Sequence, residues 1–377
     1  MPAVQHVLVI GGGLAGTATA ILLAEHGVTV EVVEARPDVG ALGSGISLQG
    51  NALRVLRDLG IWDLVRASGF GFDTIGVRAP DPNGTLLAEI PDVRTGGPDL
   101  PATLGMSRPD LARLLCERAA QTGAHLRFGI TPTGLHQDPG GVDVTLIDGS
   151  TSRYDLVIGA DGVRSWTRQA VGIDLLTRPT GMGVWRAFTD RPASVTRTDL
   201  YYGGPCYIAG YTPTGERTLY AFLVEDAQDR SALTPDEQLG VMRRHTEAYH
   251  GPWDEIRDNL VDPTQINYAR FETHLLDPPW HRGRVALIGD AVHVCPPTVA
   301  QGAAMALEDA WVLAELLITS ERLDEEVWTA FTDRRYGRVK AVVDASVQIG
   351  RWQLDHVRDA DVPSLMGRVA ALVSGRP

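Results

Sequence analysis

The 377-residue chain has few cysteines, fewer basic than acidic residues, and no long hydrophobic run. Its three cysteines, Cys116, Cys206 and Cys295, are odd in number and far apart, which argues against a disulfide framework and against a CxxC zinc or redox site. There are 34 Lys and Arg against 47 Asp and Glu, which gives a net charge of -13. Nucleic acids and anionic membranes are therefore not expected as partners, because both require a basic surface.

The scarcity of cysteine also favours a reducing compartment. No apolar run is long enough to cross a bilayer, and the first predicted strand begins at about Val4, which leaves no room for a signal peptide. We therefore expect a cytoplasmic protein without stable membrane insertion. The length allows two domains around a large core, and no metal-binding motif is present.

What the sequence does contain is a dinucleotide-binding pattern near its beginning. A buried strand is predicted over Val7–Ile10, a GxGxxG turn over residues 11–16, and an Ala-rich helix over Thr17–His26. A second strand over residues 28–33 ends at Glu34, about 20 residues after the glycines, where a ribose hydroxyl needs an acceptor. Strand, glycines, helix, strand and acid in this order indicate a site for an adenine dinucleotide.

Each glycine of the turn has its own physical purpose. Gly11 allows the tight turn, Gly13 lets a pyrophosphate approach the backbone, and Gly16 brings helix and strand together. The helix N-terminus then points at the phosphates. Glu34 would repel a 2′-phosphate, so the sequence predicts NAD or FAD at this site in preference to NADP.

Two further segments in the first third of the chain could contribute to a ligand site. Residues 40–48 carry three glycines in six positions and are predicted to form a loop, either a wall for a cofactor ring or a flexible connection. Ser107 and Asp110 have the spacing of a capping box before a helix from Leu111. Arg108 lies in the first turn of that helix, where a cation is unfavourable, so it indicates an anionic ligand or else a solvated surface arginine.

Two later segments repeat the pattern of a buried strand that ends in a Gly/Asp turn. The first is Asp155–Ser165, which contains Asp161-Gly162, and the second is Arg284–Asp290. A carboxylate on such a turn fixes backbone amides or reaches ligand hydroxyls. After the second turn comes a Pro-Pro loop over residues 291–298, and then a helix over residues 303–319.

The rest of the chain follows other periodicities. Residues 173–271 alternate like an antiparallel sheet with one covered face. Five tyrosines in this region suit either a pocket for a planar ligand or ordinary core packing; they are Tyr201, Tyr202, Tyr207, Tyr211 and Tyr220. Residues 324–373 are predicted to be helical, and we assign no chemistry to them.

Three motifs stand together in order: Gly11–Gly16 with Glu34, Asp155–Ser165, and the stretch from Gly289-Asp290-Ala291-Val292-His293 to Asp309. With these motifs the chain resembles the flavin-dependent aromatic hydroxylases, the single-component class A monooxygenases related to p-hydroxybenzoate hydroxylase and salicylate hydroxylase. The resemblance covers nearly the whole chain.

The resemblance implies an α/β fold with a Rossmann-like FAD-binding domain of the p-hydroxybenzoate hydroxylase and glutathione reductase type. That domain is expected to be discontinuous, over residues 1–74, 103–172 and 270–323. An inserted antiparallel β-sheet domain for the substrate is expected over residues 75–102 and 173–269. C-terminal helices are expected over residues 324–377.

The resemblance also implies tightly bound, non-covalent FAD. Glu34 would hold the adenosine ribose with Arg36 beside it, Arg108 would contact the ribityl and phosphate region, Asp161 would support the pyrophosphate and NAD(P)H, and Asp290 would bind the ribityl chain. The cofactor contacts implied are Gly11, Gly13, Leu14, Ala15, Gly16, Glu34, Ala35, Arg36, Gly45, Ser47, Arg108, Asp161, Gly289, Asp290, Pro297, Gln301, Gly302 and Ala303.

The chain departs from the family's pattern in two places. Many relatives have Gly where Val299 or Ala300 stands and Asn at the position of Ala304, so contacts to the flavin carbonyl are expected from the backbone. The Ala-Gln-Gly sequence is similar to the salicylate and 6-hydroxynicotinate hydroxylase branch. A catalytic His found in that branch is replaced by Ser47, so we assign no general base there.

The activity implied is an NAD(P)H- and O₂-dependent hydroxylation of a small aromatic or heteroaromatic substrate through a flavin hydroperoxide. Arg186, Tyr207 and Tyr220 are the expected substrate contacts. His293 and Pro297 are expected at the reacting ring, although a packed loop histidine is the alternative for His293. The alternatives for the function are another flavin oxidoreductase, such as an oxidase or epoxidase, and a non-catalytic protein on the same fold. The chain is expected to be a monomer or homodimer.

Overall fold

The computed structural model describes residues 2–39 and 44–377, which form a mixed α/β fold. The strands are β1 (His6–Ile10), β2 (Thr29–Glu34), β3 (Gly45–Gln49), β4 (Phe70–Phe72), β5 (Thr74–Arg78), β6 (Leu86–Pro91), β7 (Thr103–Ser107), β8 (His125–Phe128), β9 (Pro132–Asp138), β10 (Gly141–Leu146), β11 (Thr151–Tyr154), β12 (Leu156–Gly159), β13 (Arg178–Asp190), β14 (Thr198–Tyr202), β15 (Ile208–Pro213), β16 (Thr218–Asp226), β17 (Ile266–Leu275), β18 (His281–Arg282), β19 (Val285–Leu287) and β20 (His293–Val294). The helices are α1 (Leu14–Glu25), α2 (Gly50–Asp58), α3 (Trp62–Ser68), α4 (Arg108–Gln121), α5 (Trp166–Ala170), α6 (Pro235–Thr246), α7 (Pro252–Asn259), α8 (Gly302–Thr319), α9 (Glu325–Leu354) and α10 (Val362–Ser374).

A six-stranded sheet in the order β18-β19-β12-β1-β2-β8 organises the cofactor side of the molecule. Its strands are parallel except for the edge pair β18–β19. Strands β1 and β12 are fully apolar over most of their length because helices cover both faces of a parallel sheet. Gly11, Glu34, Asp161 and Gly289 all follow or end strands at the carboxyl edge, where ligands of open α/β sheets bind.

An eight-stranded sheet in the order β20-β17-β13-β16-β15-β14-β5-β6 forms the second large layer. It is antiparallel except for the β14–β5 pair. One face packs against α6 and α7 through a core that contains Tyr201, Tyr211 and Trp253. The Rossmann-like fold with an antiparallel sheet and C-terminal helices is therefore confirmed, whereas the exact domain boundaries stay a prediction.

Some local predictions were wrong. Residues 45–49 are strand β3 and not loop, because they pair with β7; positions 40–43 lie outside the described residues. Helices α6 and α7 interrupt the region predicted to be sheet alone. The Pro-Pro loop contains β20, which pairs with the end of β17. Strands β3 and β20 form only because they pair with strands distant in sequence. Helices α6 and α7 are short, and the alternating pattern of the strands around them obscured their own periodicity.

No helix of the described residues is both long enough and apolar enough to cross a membrane.

Candidate active site

The turn between β1 and α1 has the close backbone approach that its glycines predict. A Cβ on Gly11, at φ +111°, would overlap the carbonyl oxygen of Ala160, and a Cβ on Gly16 would overlap that of Gly11. Gly13 is exposed, and a Cβ there would meet nothing within 4 Å. The first turn of α1, which starts with Leu14 and Ala15, has no side-chain cap, so its amides are open to an anion.

Glu34 lies beside this turn and fixes it. One carboxylate oxygen, Oε2, accepts a hydrogen bond of 2.8 Å from the amide of Gly12, and Oε1 accepts one of 2.9 Å from the amide of Arg36. Ala35 and Arg36 are exposed at the end of β2. Each carboxylate oxygen already accepts one backbone amide. The position of Glu34 suits a ribose contact as well, and that contact stays a prediction.

Asp161 accepts hydrogen bonds from two hydroxyls and one amide of the segment that follows it. Its Oδ1 accepts from the Ser165 hydroxyl at 2.5 Å, and its Oδ2 accepts from the amide and hydroxyl of Thr167 at 2.8 and 2.9 Å. Of the two roles that a carboxylate on this turn can have, fixing backbone amides is the one visible in these contacts. The backbone of Asp161 also packs against Gly11, since a Cβ on Gly11 would come within 3.0 Å of the Asp161 Cα.

Arg108, Arg186, Tyr220 and Asp290 come together where the two large sheets meet. Arg108 is exposed to solvent, yet protein surrounds it on several sides. This desolvation lowers the pKa of Arg108; the Asp290 carboxylate raises it, and the charges of Arg186 and Arg36 lower it further. Burial raises the pKa of Tyr220, although the nearby Arg186 and Arg108 oppose it. Arg108 and Arg186 thus put two guanidiniums beside the single carboxylate of Asp290, which favours an anionic ligand at this point.

Asp290 lies at the tip of the loop after β19. Gly289 before it has φ +61°, and the Asp290 side chain is accessible from the cleft. Although Asp290 is accessible to solvent, the protein that surrounds it desolvates the carboxylate and raises its pKa, as does the nearby Asp309, whereas His293 and Arg108 oppose this. Its backbone oxygen is held 3.0 Å from Nε2 of His274. The loop thus presents a carboxylate that an incoming hydroxyl or cation would stabilise in its ionised form.

His293 was expected at the reacting ring, but it is 3% exposed and its Nε2 lies 2.7 Å from Oδ2 of Asp309. These contacts favour the alternative of a packed loop histidine. Pro297, by contrast, is exposed at the start of a 3-10 turn over Pro297–Val299. Of the two residues predicted at the ring, Pro297 is therefore the one open to a ligand.

Gln301 uses its side chain inside the protein. Its amide group is hydrogen-bonded to both Gln49 and Asn51, with Asn51 Nδ2 2.9 Å from Gln301 Oε1. As N-cap of α8, Gln301 makes no side-chain bond to that helix. The amides at Gly302 and Ala303 are consequently open, and a Cβ on Gly302 would meet nothing within 4 Å. Any cofactor contact at this point comes from the backbone, as the residue types there predict.

Strand β3 lines the space between these groups. Gly45, Ser47 and Gln49 share one face because side chains alternate along a strand. A Cβ on Gly45 would overlap Tyr220, and Gln49 Nε2 lies 3.3 Å from the carbonyl oxygen of Val299. Ser47 therefore lies on β3 between the tyrosine and the start of α8, where the sequence expects a cofactor contact.

The structure separates the three predicted substrate residues. Arg186 and Tyr220 lie together, but the amide of Tyr207 pairs with Val224, four residues along β16 from Tyr220, or about 13 Å at about 3.3 Å per residue. The Tyr207 hydroxyl donates to Asp226 at 2.7 Å. Tyr201 and Tyr211 are core residues, so the packing alternative holds for those two.

Sequence reasoning missed the apolar residues that share a sheet face with Arg186. Register pairs Arg186 with Phe222 and Val184 with Val224 across β13 and β16, and Ile208 of β15 stands opposite Val224. Alternation within the segments 183–188 and 219–224 was the available signal, but only pairing fixes which face turns to the cleft.

A depression of about 460 Å³ is lined by residues within 175–178, 273–275 and 343–351, among them His274. It contains none of the predicted site residues.

The sequence pattern of the family described as "FAD binding domain" matches residues 5–346. Among curated proteins, the chain is 32% identical over 327 residues to 6-hydroxynicotinate 3-monooxygenase of Pseudomonas fluorescens, covering 83% of this chain and 82% of that protein. It is 30% identical over 367 residues to 3-hydroxybenzoate 6-hydroxylase of Polaromonas naphthalenivorans, covering 93% and 88%.

Among solved structures, Klebsiella pneumoniae HpxO complexed with FAD and uric acid superposes with a TM-score of 0.84. It is 22% identical and covers 98% of this chain and 97% of its own. At that identity the likeness establishes the fold.

Proposed function

This chain belongs to the FAD-binding-domain family of FAD-dependent aromatic monooxygenases, and from that membership we propose that it uses NAD(P)H and O₂ to hydroxylate a small aromatic or heteroaromatic acid. The observation that carries the proposal is the meeting of Arg186 and Tyr220 of the antiparallel sheet with Arg108 and Asp290 of the cofactor side. This arrangement sets groups suited to a substrate beside groups suited to a flavin.

The residues present fit FAD. The open amides of α1 and the free space over Gly13 suit a pyrophosphate, and Asp290 suits the hydroxyls of a ribityl chain. The N-terminus of α8 would stabilise negative charge on the pyrimidine side of the ring by about 0.3–1 kcal/mol where partly exposed. Bound FAD would supply the electron transfer from NAD(P)H and the activation of O₂.

The chain's own residues would orient the substrate and keep water out. Arg186 would bind its carboxylate or a ring oxyanion in a charge-assisted hydrogen bond. Tyr220 keeps its proton, because burial raises its pKa, and would donate a hydrogen bond. On the same sheet face, the Phe222 ring lies 5.5 Å from that of Tyr220, and Val184 and Val224 belong to a buried apolar cluster. This apolar surface would limit water at the reacting atoms.

The relatives suggest which compounds to test first. 6-Hydroxynicotinate and 3-hydroxybenzoate, named in those two proteins, are both aromatic acids with a ring hydroxyl. An anion of this type complements the pair of guanidiniums of Arg108 and Arg186 near Tyr220.

The experiment measures NADH and NADPH oxidation by the purified yellow protein with 6-hydroxynicotinate, 3-hydroxybenzoate and salicylate, and analyses products formed under ¹⁸O₂ by mass spectrometry. We expect ligand-stimulated oxidation and a product that gains one ¹⁸O atom. Flavin that neither nicotinamide reduces would contradict the proposal in favour of an oxidase. Stimulated oxidation that yields only peroxide, with every compound of a wider aromatic set, would also contradict it.

A further inference from the structure

A buried charge cluster links helix α9 to the loop that carries Asp290. It contains the adjacent carboxylates Glu308 and Asp309 of α8 and the guanidiniums of Arg335 and Arg338 of α9. The side chains of Glu308, Asp309 and Arg335 are each 0% exposed. Buried charges are stable only when they are paired and hydrogen-bonded, so the geometry of this cluster is strongly constrained.

Arg335 is held by three different groups of α8. Its Nε donates to Oδ1 of Asp309 at 2.8 Å, its Nη1 donates to Oε2 of Glu308 at 2.8 Å, and its Nη2 donates to the carbonyl oxygen of Met305 at 3.1 Å. A planar guanidinium with three fixed acceptors cannot rotate without losing a bond. Arg335 therefore fixes the orientation of the Asp309 carboxylate.

The other oxygen of Asp309 holds the loop. Oδ2 accepts from the amide of Gly289 at 2.9 Å and lies 2.7 Å from Nε2 of His293, so it fixes the residues on both sides of Asp290. Burial alone would raise the pKa of Asp309, but the charges of His293 and Arg335 outweigh it and hold the pKa below its usual range. The ionised form of Asp309 is thus stabilised by His293 and by Arg335.

We propose that Arg335 is a positioning residue for bound FAD, acting through Asp309 on the loop 289–293 without touching the cofactor. The C-terminal helix then belongs to the cofactor site, although its sequence shows no chemistry. The inference rests on FAD binding and not on the hydroxylation reaction, so the two can fail separately.

Arg338 provides an internal comparison. It lies one turn along α9 and binds both oxygens of Glu308, at 2.8 and 2.7 Å, together with carbonyl oxygens at the end of α10. Within the described part of the chain, its hydrogen bonds go to Glu308 and to α10, and none goes to Asp309. Loss of Arg338 should therefore disturb the same cluster and its stability without releasing the loop.

The experiment measures the dissociation constant of FAD by flavin fluorescence, on apo-protein kept well below each variant's unfolding temperature. We expect Arg335→Met to raise it about tenfold or more, the scale known for outer partners of metal ligands. Arg335→Lys should recover part of the loss. Arg338→Met, and Arg334→Met at the half-exposed neighbouring position that pairs with Glu315, should stay within about twofold of wild type.

Two outcomes would overturn the proposal: an unchanged constant for Arg335→Met, or an equal loss for Arg338→Met, which would show general destabilisation. If the Met variants do not fold, hydrogen exchange of the wild-type chain decides the question. Coupling is reciprocal, so FAD should slow exchange around Arg335 as well as in residues 289–293. Protection confined to the phosphate turn and the loop would overturn it.

Discussion

Arg108 shows how a locally unfavourable residue is explained by a distant one. A cation in the first turn of a helix opposes the helix dipole, yet Arg108 begins α4. Its guanidinium lies near Asp290, which comes from a much later part of the chain. The Asp290 carboxylate partly offsets the unfavourable interaction of Arg108 with the helix dipole. The remaining positive charge in the cleft, from Arg186 and Arg36, is what an anionic cofactor or substrate would neutralise.

Replacement of Arg186 by Met tests the substrate contact. A lost charge-assisted hydrogen bond costs about 1.5–3 kcal/mol, so we expect KM for an aromatic acid to rise about tenfold or more while FAD stays bound. The measurement is steady-state NAD(P)H oxidation with the flavin content read by absorbance. Arg178→Met, at an exposed position on the same strand, should leave KM unchanged. Equal KM values for both variants would remove Arg186 from the site.

His274 contacts the backbone of Asp290 through a neutral imidazole ring. Its Nε2 faces the carbonyl oxygen of Asp290 at 3.0 Å and must carry the proton, so its Nδ1 accepts from the Thr177 hydroxyl at 2.8 Å. Burial lowers the pKa of His274 to about 4, although the Asp290 carbonyl opposes this; the nearby charges of Arg168 and His293 lower it further. Protonation therefore favours unfolding.

The consequence is a pH-dependent stability with a definite sign. The unfolded chain binds this proton below its ordinary pKa of about 6.5, while the folded chain does so only near 4, so stability falls as pH drops between these values. From pH 7 to pH 5 this group should reduce the free energy of unfolding by about 2 kcal/mol.

Urea unfolding at several pH values checks this prediction. His274→Gln should lose that part of the pH dependence, even if its stability at pH 7 is lower. His136→Gln on β9, where the side chain is exposed, is expected to keep the wild-type slope. A slope that persists in His274→Gln would show that another group titrates.

At the scale of elements, the turn before α8 contains a strained residue. Ala300 has φ 52° and ψ 32°, the left-handed region, directly after the 3-10 turn of Pro297–Val299. This conformation costs an L-residue about 1–2 kcal/mol and glycine little.

Ala300→Gly should therefore stabilise the protein by about 0.5–1 kcal/mol, since relief of the strain exceeds the extra entropy of the unfolded chain. Denaturant unfolding measures the change. Ala341→Gly, within α9, is the matched control and should destabilise by about 1 kcal/mol. If both substitutions destabilise, another contact keeps Ala300 in place.

The helix α6 shows a signal that the alternation around it concealed. Thr234 accepts from the amide of Glu237 at 3.3 Å, and the Glu237 carboxylate accepts from the amide of Thr234 at 2.8 Å. This is a complete capping box, with Pro235 in the first turn. The spacing was readable in the sequence, and it marks a helix inside a region of strands.

At the scale of the whole molecule, the C-terminal helices connect distant layers. The carbonyl oxygens at the end of α10 accept hydrogen bonds from Arg338 of α9 and from Arg54 of α2, which lies 2.9 Å from those of Ser374 and Gly375. Two guanidiniums at a helix C-terminus complement its dipole. Val369 and Val373 bury the apolar side of the same helix.

A chain that ends after residue 360 should consequently unfold at a lower temperature. Two buried valines contribute about 3 kcal/mol or more, and Arg54 and Arg338 lose their acceptors. Thermal unfolding by circular dichroism measures the shift. Arg376→Ala, which removes a half-exposed guanidinium that pairs with Asp58 and lies over the Trp311 ring, should lower the temperature much less. An unshifted midpoint for the shortened chain would mean that α10 is not part of the cooperative unit.

The sequence by itself determined the features that local physics fixes. Strands β1 and β2, the glycine turn and Glu34 follow from periodicity and from backbone conformations that only glycine adopts. The cofactor positions around Gly11 and Asp290 follow from motifs whose residues are close in the chain, together with the resemblance that their order supports. The occupants of those positions in the presence of FAD stay predictions.

Only the tertiary structure decided which distant residues meet. Strand register brought Arg186 beside Tyr220 and left Tyr207 elsewhere, because a sheet face is set by pairing and not by composition. Gln301 bonds to Asn51, 250 residues away, and Arg335 reaches Asp309 from a helix whose sequence suggested nothing. Such contacts depend on the packing of whole elements, for which a single sequence carries no local signal.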